Sequence, residues 1–277
     1  MEFLIGKDVK PSEISTLGEI TFISSRGVKP ASYTEDDCRA YGFNYLNSKS
    51  FAVASKTTLV PNSSNLLNTS TRAEVGDYSY QNGIIGMDNI LSDNTNNNLI
   101  VGDSNNIDSL ISNSIVNGTK GDAKYINSQV LGGNQNDDVL GHRQSILLLA
   151  GADTTNSTYT RTYINDDGST LFNVEDNSIV AYTAHTIAVR TGGTASGAKG
   201  DFKYWIERGA VVSRGGTLTL NRTRDTIASD GTHTGWNVNS DVDGTKFYVE
   251  VKGKNNIDLK WIVRLEISEM RTGIDLS

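Results

Sequence analysis

Cysteine is almost absent from this chain: Cys38 is the only one in 277 residues. A single cysteine closes no internal disulfide and builds no thiolate metal cluster, so Cys38 reads as a small half-buried residue rather than a nucleophile. Proline is nearly as scarce, at three. Histidine also numbers three, and His142, His185 and His233 have no second His or Cys at metal-ligand spacing. Each reads as a surface or strand histidine, although one histidine per chain would make three around a threefold axis. There is no run of Lys or Arg and no interleaving of aromatic with basic residues. With a net charge of -7, that excludes a nonspecific nucleic-acid platform or an anionic membrane as partner. No apolar run approaches the length of a transmembrane helix. The opening "MEFLIGKDVKPSEIS" has no basic start followed by an apolar stretch, so it is not read as a signal peptide. The expectation is a soluble chain, made in a cytoplasm, without membrane insertion.

What is abundant is glycine, at 27, and asparagine, against a hydrophobic content of 36%. That hydrophobic share is low for one compact enzyme core. Gly and Asn supply positive φ for tight turns, and the combination predicts many short strands rather than helices. Three textures follow one another: residues 1–80, 81–155 and 156–277. In the first, "EITFIS" alternates as a strand. Thr34, with Asp37 three residues on, reads as a helix N-cap.

The second region carries a repeat. Ile85, Ile100, Ile115 and Val130 stand fifteen residues apart, each beside another aliphatic residue and each closely followed by glycine. Weaker aliphatic positions lie between them, at Ile90-Leu91, Ile107, Ile126 and Val139-Leu140, and "ILLLAGAD" (146–153) reads as a late fifth copy. Two apolar touches per repeat, separated by Gly, Asn or Asp turns, describe a β-solenoid coil. One such coil buries little. Three chains about a common axis would turn Ile85, Ile100, Ile115 and Val130 onto one another as a trimer seam.

"LIVGDSNNIDSLISNSIVNG" resembles the left-handed rolls in the heads of trimeric autotransporter adhesins, and similar rolls in bacteriophage fibres. An adhesin would be expected to carry a secretion signal and a C-terminal anchor. Neither is read here, which favours the phage fibre.

In the third region, "RTYINDDGSTLFNVE" (161–175) reads as a hairpin around Asp167-Gly168. Alternating runs follow, and in the last of them Leu259, Trp261, Val263, Leu265 and Ile267 share one face, with Lys260, Arg264 and Glu266 on the other. Half-buried antiparallel strands with short turns predict a β-sandwich or jelly roll. This region resembles a C-terminal β-sandwich found on many phage fibres. Arg190-Thr191 matches its basic-then-Thr corner, Tyr204-Trp205 its aromatic pair, and Trp261 the central Trp of its closing strand. The resemblance implies a trimeric knob whose core or chain interface is supplied by Tyr204, Trp205, Phe247 and Trp261.

Candidate chemistry is thin. Asp137-Asp138, Asp166-Asp167 and Asp241/Asp243 each lie beside Gly or Asn in predicted turns, where Asp is expected for backbone reasons. A glycosidase needs two carboxylates converging on a cleft, and the sequence cannot place these pairs across an interface. "RTGGTASGAKG" (190–200) lacks phosphate-loop spacing and reads as a flexible rim loop. Lys199, Asp201 and His233 are the candidates there for surface binding.

The expected fold is all-β: an N-terminal virion-attachment segment, a short trimeric solenoid shaft and a sandwich knob. The expected function is that of a homotrimeric head (capsid) fibre of a bacteriophage, exposed on the virion and made in the host cytoplasm. Its partners would be itself, a capsid or tail protein bound through the N-terminal region, and a host-surface glycan. The alternative is a tail or baseplate fibre acting as receptor-binding protein. From other classes, a polysaccharide depolymerase would need a carboxylate-lined groove, and a bacterial trimeric adhesin its secretion signals. No catalytic, cofactor or metal residue is assigned, and the chain is expected not to be an enzyme.

Overall fold

The computed structural model describes residues 8–14, 19–24, 33–41, 43–46, 51–54, 58–59, 66–68, 73–75, 79, 81–133, 140–230 and 234–272. The fold is nearly all β, with a solenoid segment of about three turns and further sheets. The chain forms two compact units, Met1–Lys124 and Tyr125–Ser277.

The first unit opens with β1 (Val9–Ile14), β2 (Glu19–Ser24), α1 (Glu35–Ala40), β3 (Phe43–Leu46) and β4 (Phe51–Ala54), the strands ordered β1-β2-β4-β3. Alternation in "EITFIS" buries Ile20 and Phe22, and they meet Val9 and Cys38 in a small core with Tyr33 and Tyr41 packed on it. The Tyr41 hydroxyl donates to the Val9 carbonyl at 2.8 Å. Thr34 caps α1 as the sequence predicts. Its Oγ1 accepts from the Asp37 N–H, and Asp37 Oδ2 accepts in return from the Thr34 N–H at 3.0 Å.

Next come β5 (Thr58–Leu59), β6 (Leu66–Asn68), β7 (Ala73–Val75), β8 (Gly83–Ile85), β9 (Asn89–Leu91), β10 (Leu99–Asp103), β11 (Asn106–Ile107), β12 (Ile115–Thr119) and β13 (Asp122–Ala123). Within this unit they form two parallel stacks, β6-β8-β10-β12 and β7-β9-β11-β13. The coil is sixteen residues long, not fifteen: Ile84 pairs with Ile100 and Ile100 with Val116. Those three are fully buried in one column, and Leu91, Ile107 and Ala123 fill a second column from the opposite strands. Fully burying each Ile or Leu stabilises by roughly 1.5–3 kcal/mol.

The predicted seam therefore does not share a column. Ile100 points into the coil. Ile85 and Ile115 point outward, 40% and 42% exposed. A strand's side chains alternate between faces, so a one-residue error in the period carries successive members to opposite sides. Val130 and the residues of the expected fifth copy belong to the second unit.

Stacking also explains the asparagines, in two roles. Some hold positive φ at the corners, among them Asn94, Asn97 and Asn113. Others are buried in ladders. Asn82 Oδ1 accepts from the Asn98 N–H at 3.0 Å, and Asn98 Oδ1 accepts from the Ser114 N–H at 2.8 Å. Asn89 and Asn105 repeat this on the other side: Asn89 Oδ1 accepts from the Asn105 N–H at 3.0 Å, and Asn105 Oδ1 from the Gly121 N–H at 2.8 Å. The amide groups donate to carbonyls of their own coil, as Asn98 Nδ2 does to Ile111 at 3.0 Å. Each ladder residue thus satisfies backbone groups at a turn that no strand partner reaches.

The second unit holds β14 (Gln129–Gly133), β15 (Arg143–Thr154), β16 (Tyr159–Arg161), β17 (Tyr163–Ile164), β18 (Phe172–Asn173), β19 (Ser178–Gly192), β20 (Phe202–Arg214), β21 (Thr217–Asp230), β22 (Asn237–Asp243), β23 (Lys246–Lys252) and β24 (Asp258–Arg271). One antiparallel sheet runs β21-β20-β19-β24-β15-β14. In a second sheet, β23 is flanked by β22 on one side and by β16 and β18 on the other. The sheets meet through Tyr182 of β19 and Phe247 of β23, ring centroids 4.5 Å apart. Leu259, Trp261, Val263, Leu265 and Ile267 all face this interior, as the alternation predicts. The expected fifth coil, "ILLLAGAD", is part of β15, paired antiparallel along its length with β24. The turn at Asp167-Gly168 exists, but its flanks part: β17 joins β15 and β18 joins β23.

Asp176 fastens the β20–β21 turn to the start of β19. Its Oδ1 accepts from the Gly216 N–H at 2.8 Å, the Asn177 N–H at 2.9 Å and Ser213 Oγ at 3.0 Å. The bond from Gly216 contributes most to holding this carboxyl below its ordinary range. A lowered carboxyl stabilises the fold above the unfolded value and loses that contribution as pH falls through the folded one. Asp176→Asn should therefore lower the melting temperature at neutral pH, and the gap to wild type should close as pH drops below about 4.

Gly102 offers a sharper test of the solenoid. Its φ is 122°, and a Cβ there would run into the Gly118 carbonyl of the next coil. Gly102→Ala is expected to cost about 1–3 kcal/mol for the backbone conformation alone, with the collision added. Hydrogen exchange should report it as lost protection in β10 and β12.

Candidate functional site

The side chains that could act fall on three surfaces of separate character. The first is the outer side of β8, β10 and β12. Alternation turns Ile85, Leu99 and Ile115 outward, each between 37% and 42% exposed, with Val101 half-buried among them. The register places Ile115 beside Leu99 and Val101 beside Ile85. The same sheet is thus aliphatic on its inside and on its outside.

The second surface is the outer face of β15, β24, β19 and β20. Ile187 lies between Ile262 and Tyr204, and His185 between Arg264 and Ile206. Leu149, Ile187, Val189 and Ile262 are exposed. Among them sits a polar group. His185 Nδ1 and the Tyr204 hydroxyl share a hydrogen bond at 2.7 Å. Arg264 pairs with Glu266, whose carboxylate is 4.0 Å from His185 Nε2. Charged side chains share this face, Lys260 pairing with Asp153 at 3.2 Å, so the aliphatic residues form a patch on it rather than the whole of it.

The third surface is the turn after β19. The Arg190 side chain is buried, and its guanidinium donates to the carbonyls of Gly192 at 3.0 Å, Ser196 at 2.9 Å and Ala195 at 2.5 Å. Asp201 Oδ2 accepts from the Ala198 N–H at 2.9 Å. The glycine-rich segment is therefore wound round a cation rather than left flexible, because that charge can be buried only if carbonyls surround it. Lys199 is exposed and Asp201 half-buried at this turn. His233 lies outside the described residues, as do Asp137 and Asp138, so the structure brings together two of the three residues expected at a binding surface.

The aromatic set divides. Trp205 and Trp261 are buried and stacked, centroids 5.7 Å apart. Trp261 Nε1 donates to Thr154 Oγ1 at 2.8 Å. Phe247 is fully buried, whereas Tyr204 lies on the outer face beside His185. Lys203 extends over the Trp205 ring at 4.9 Å, and burial, with Arg224 adding to it, lowers its ammonium from the ordinary lysine value. Sequence reasoning missed Glu207, which is buried between the sheets. Its carboxylate accepts from the Tyr182 hydroxyl at 3.1 Å and the Ser240 N–H at 2.9 Å. Burial pushes the Tyr182 phenol well up. Glu207 sits at an inward position of an alternating strand, and that parity is the signal that could have found it.

Among the described residues, no group of three His, Cys, Asp or Glu side chains could hold a metal ion, and no helix is long and apolar enough to cross a membrane. Asp167 is a turn residue, its Oδ1 accepting from the N–H groups of Ser169 and Thr170. Asp241 and Asp243 stand on the outer side of β22, and Asp243 pairs with Arg161 at 2.8 Å.

No protein-family model matches the chain, and no curated protein matches it. Solved structures do. One is the tailspike protein gp49 from Acinetobacter baumannii bacteriophage Fri1, a capsular polysaccharide depolymerase. It is 10% identical, with a TM-score of 0.26, over 76% of this chain and 50% of that one. The tailspike protein of Acinetobacter baumannii phage AM24 is also 10% identical, with a TM-score of 0.24, over 76% of this chain and 49% of that one. The tailspike protein of Acinetobacter phage vB_ApiP_P1 gives 10% and 0.23, over 79% and 58%. The chain spans about half the length of these structures. The expectation that it is not an enzyme is corrected on this finding, since gp49 is a depolymerase. At this identity and TM-score, no residue role is carried from those proteins to this chain.

Trp261→Ala would empty the stacked pair and orphan Thr154 Oγ1. Aromatic truncations in such sites cost about 3–5 kcal/mol. Calorimetry of the full chain should show a clearly lower transition for the second unit. An unshifted transition would mean that Trp261 does not contribute to this core.

Proposed function

We propose that the chain is a fibre protein of a bacteriophage virion, homotrimeric, with the solenoid as shaft and the second unit as a displayed knob. One observation carries this reading: the solenoid sheet is aliphatic on both sides. A free-standing coil needs Ile84, Ile100 and Val116 inside, but has no use in water for Ile85, Leu99, Val101 and Ile115 outside. Those residues repeat with the rise of the coils, about 4.8 Å. A surface that matches them rung for rung is the same surface on another copy of the chain. The trimer seam is thus reassigned from Ile85, Ile100, Ile115 and Val130 to Ile85, Leu99, Val101 and Ile115. The aliphatic patch of Leu149, Ile187, Val189 and Ile262 gives the second unit a contact surface of smaller extent.

A head fibre fits the short shaft of about three coils, and a tail or baseplate receptor-binding fibre is the alternative. The capsid- or tail-protein contact is assigned to the first small sheet, and a host-surface glycan to the exposed turn that holds Lys199 and Asp201. Within that small sheet, β2 lies between β1 and β4, so "EITFIS" has no free edge to add to another protein's sheet. The available edges are β1 and β3, and attachment by strand addition would use one of those.

The test is the oligomeric state of the double variant Leu99→Asp, Ile115→Asp. Wild type should scatter light as a trimer. The variant would bring charges into an apolar seam and should run as a monomer that keeps its strand content. A variant that stays trimeric would remove the solenoid face from the interface. Labelling the protein on intact particles then separates head from tail.

A further inference from the structure

A covalent cross-link within the second unit is the inference the side-chain geometry carries furthest. β18 is only two residues long, and its register sets Asn173 directly opposite Lys246 of β23. Lys246 Nζ lies 3.0 Å from Asn173 Oδ1. The hydroxyl of Thr245 donates to the same oxygen at 2.9 Å. Glu175 Oε1 accepts from Asn173 Nδ2 at 3.3 Å. The Asn173 backbone is fixed as well: its N–H donates to the Tyr125 hydroxyl at 2.8 Å, and the Tyr125 ring stacks on Phe172 at 5.5 Å. A side-chain amide therefore has an amine at its carbonyl, a hydroxyl donor on its oxygen and a carboxylate on its nitrogen. An ordinary cross-strand Lys-Asn hydrogen bond needs only the first of these.

We propose that Asn173 and Lys246 join in an intramolecular isopeptide bond, promoted by Glu175 and Thr245. Lys246, as the free amine, attacks Asn173 Cγ through Nζ, and a C–N bond forms. The charge that develops on Oδ1 is met by the Thr245 hydroxyl. Glu175 takes a proton from the attacking nitrogen and delivers one to Nδ2. The bond from Cγ to Nδ2 then breaks and ammonia leaves. One primary amide and one amine become one secondary amide and one ammonia, Glu175 is regenerated, and no oxidant or co-reactant is consumed. Holding the two groups on facing strands supplies the proximity that makes so slow a reaction accessible. The link would close a loop between residues 73 apart in sequence. With Cys38 as its only cysteine, the chain can make no such closure by disulfide. Closing long loops restrains the unfolded chain most.

The test is the intact mass of the full-length protein, denatured after purification and again after prolonged incubation. Wild type is expected to weigh less than its sequence by one ammonia. Asn173→Ala and Lys246→Arg should each have their full sequence mass, and Glu175→Gln should lose ammonia far more slowly or not at all. Trypsin should release peptides 162–190 and 225–252 from wild type as one linked species, cleavage after Lys246 being blocked. Mass alone decides, whatever the variants do to folding. A wild type at full sequence mass, or one raised by exchange of an amide nitrogen for oxygen, overturns the proposal. Loss of ammonia that persists in Lys246→Arg overturns the assignment to this pair, and ammonia loss by Glu175→Gln at the wild-type rate removes Glu175 from the reaction.

Discussion

Parallel stacking at a fixed register is the constraint on which the first unit rests. Each coil lays its backbone on the previous one, so a residue has as its neighbour the residue sixteen positions on. What a position needs is then needed again in every coil. Gly86, Gly102 and Gly118 show this sterically, since a Cβ on Gly86 or Gly102 would enter the carbonyl of the glycine above. Asn82 and Asn98 show it in hydrogen bonding, because each amide serves the next coil's N–H and its own coil's carbonyl. Removing one ladder amide leaves buried backbone groups unpaired on two levels, each costing about 1–3 kcal/mol. A coil that buries only two or three large aliphatic side chains can hold its shape because its polar turns are satisfied internally.

The second unit solves the same problem differently. Its long antiparallel strands satisfy their backbones pairwise, so side chains are free to vary along them and only parity is fixed. Where the interior must accept a charge, the surroundings supply partners. Arg190 gathers carbonyls of its own turn, and Glu207 gathers the Tyr182 hydroxyl and the Ser240 N–H. These groups specify one arrangement of turn and sheet, since a shift of one residue would leave a buried ion without them.

That difference decides what could be read from sequence. Period two in "IDLKWIVRLEISE" is local and strong, and it gave the buried face of β24 without error. Thr34 with Asp37 is equally local, and α1 begins there. The solenoid period is a relation between coils, marked by single aliphatic pairs in polar sequence. Ile84-Ile85, Ile100-Val101 and Ile115-Val116 each present two adjacent apolar residues, so a count of fifteen or sixteen depends on which member is chosen. The buried Asn ladders were invisible for a related reason: corner and ladder positions use the same residue type. "ILLLAGAD" misled because an aliphatic run has no period of its own, and only its pairing with β24 shows it to be a long antiparallel strand.

A hydrophobic content of 36% is modest, yet large aliphatic side chains stand in water on both units, among them Ile85, Leu99 and Ile115 on one, and Leu149, Ile187 and Ile262 on the other. They are not scattered singly. Ile85, Leu99 and Ile115 fall on one face of one sheet, as do Leu149, Ile187 and Ile262, each group interleaved by parity with residues buried on the other face. In β23 the positions alternate to Val249 and Val251 hold Glu250 and Lys252 instead. Two-sided aliphatic strands of this kind are what the proposed association rests on, since a second copy of the chain would cover the face that the fold itself leaves to water.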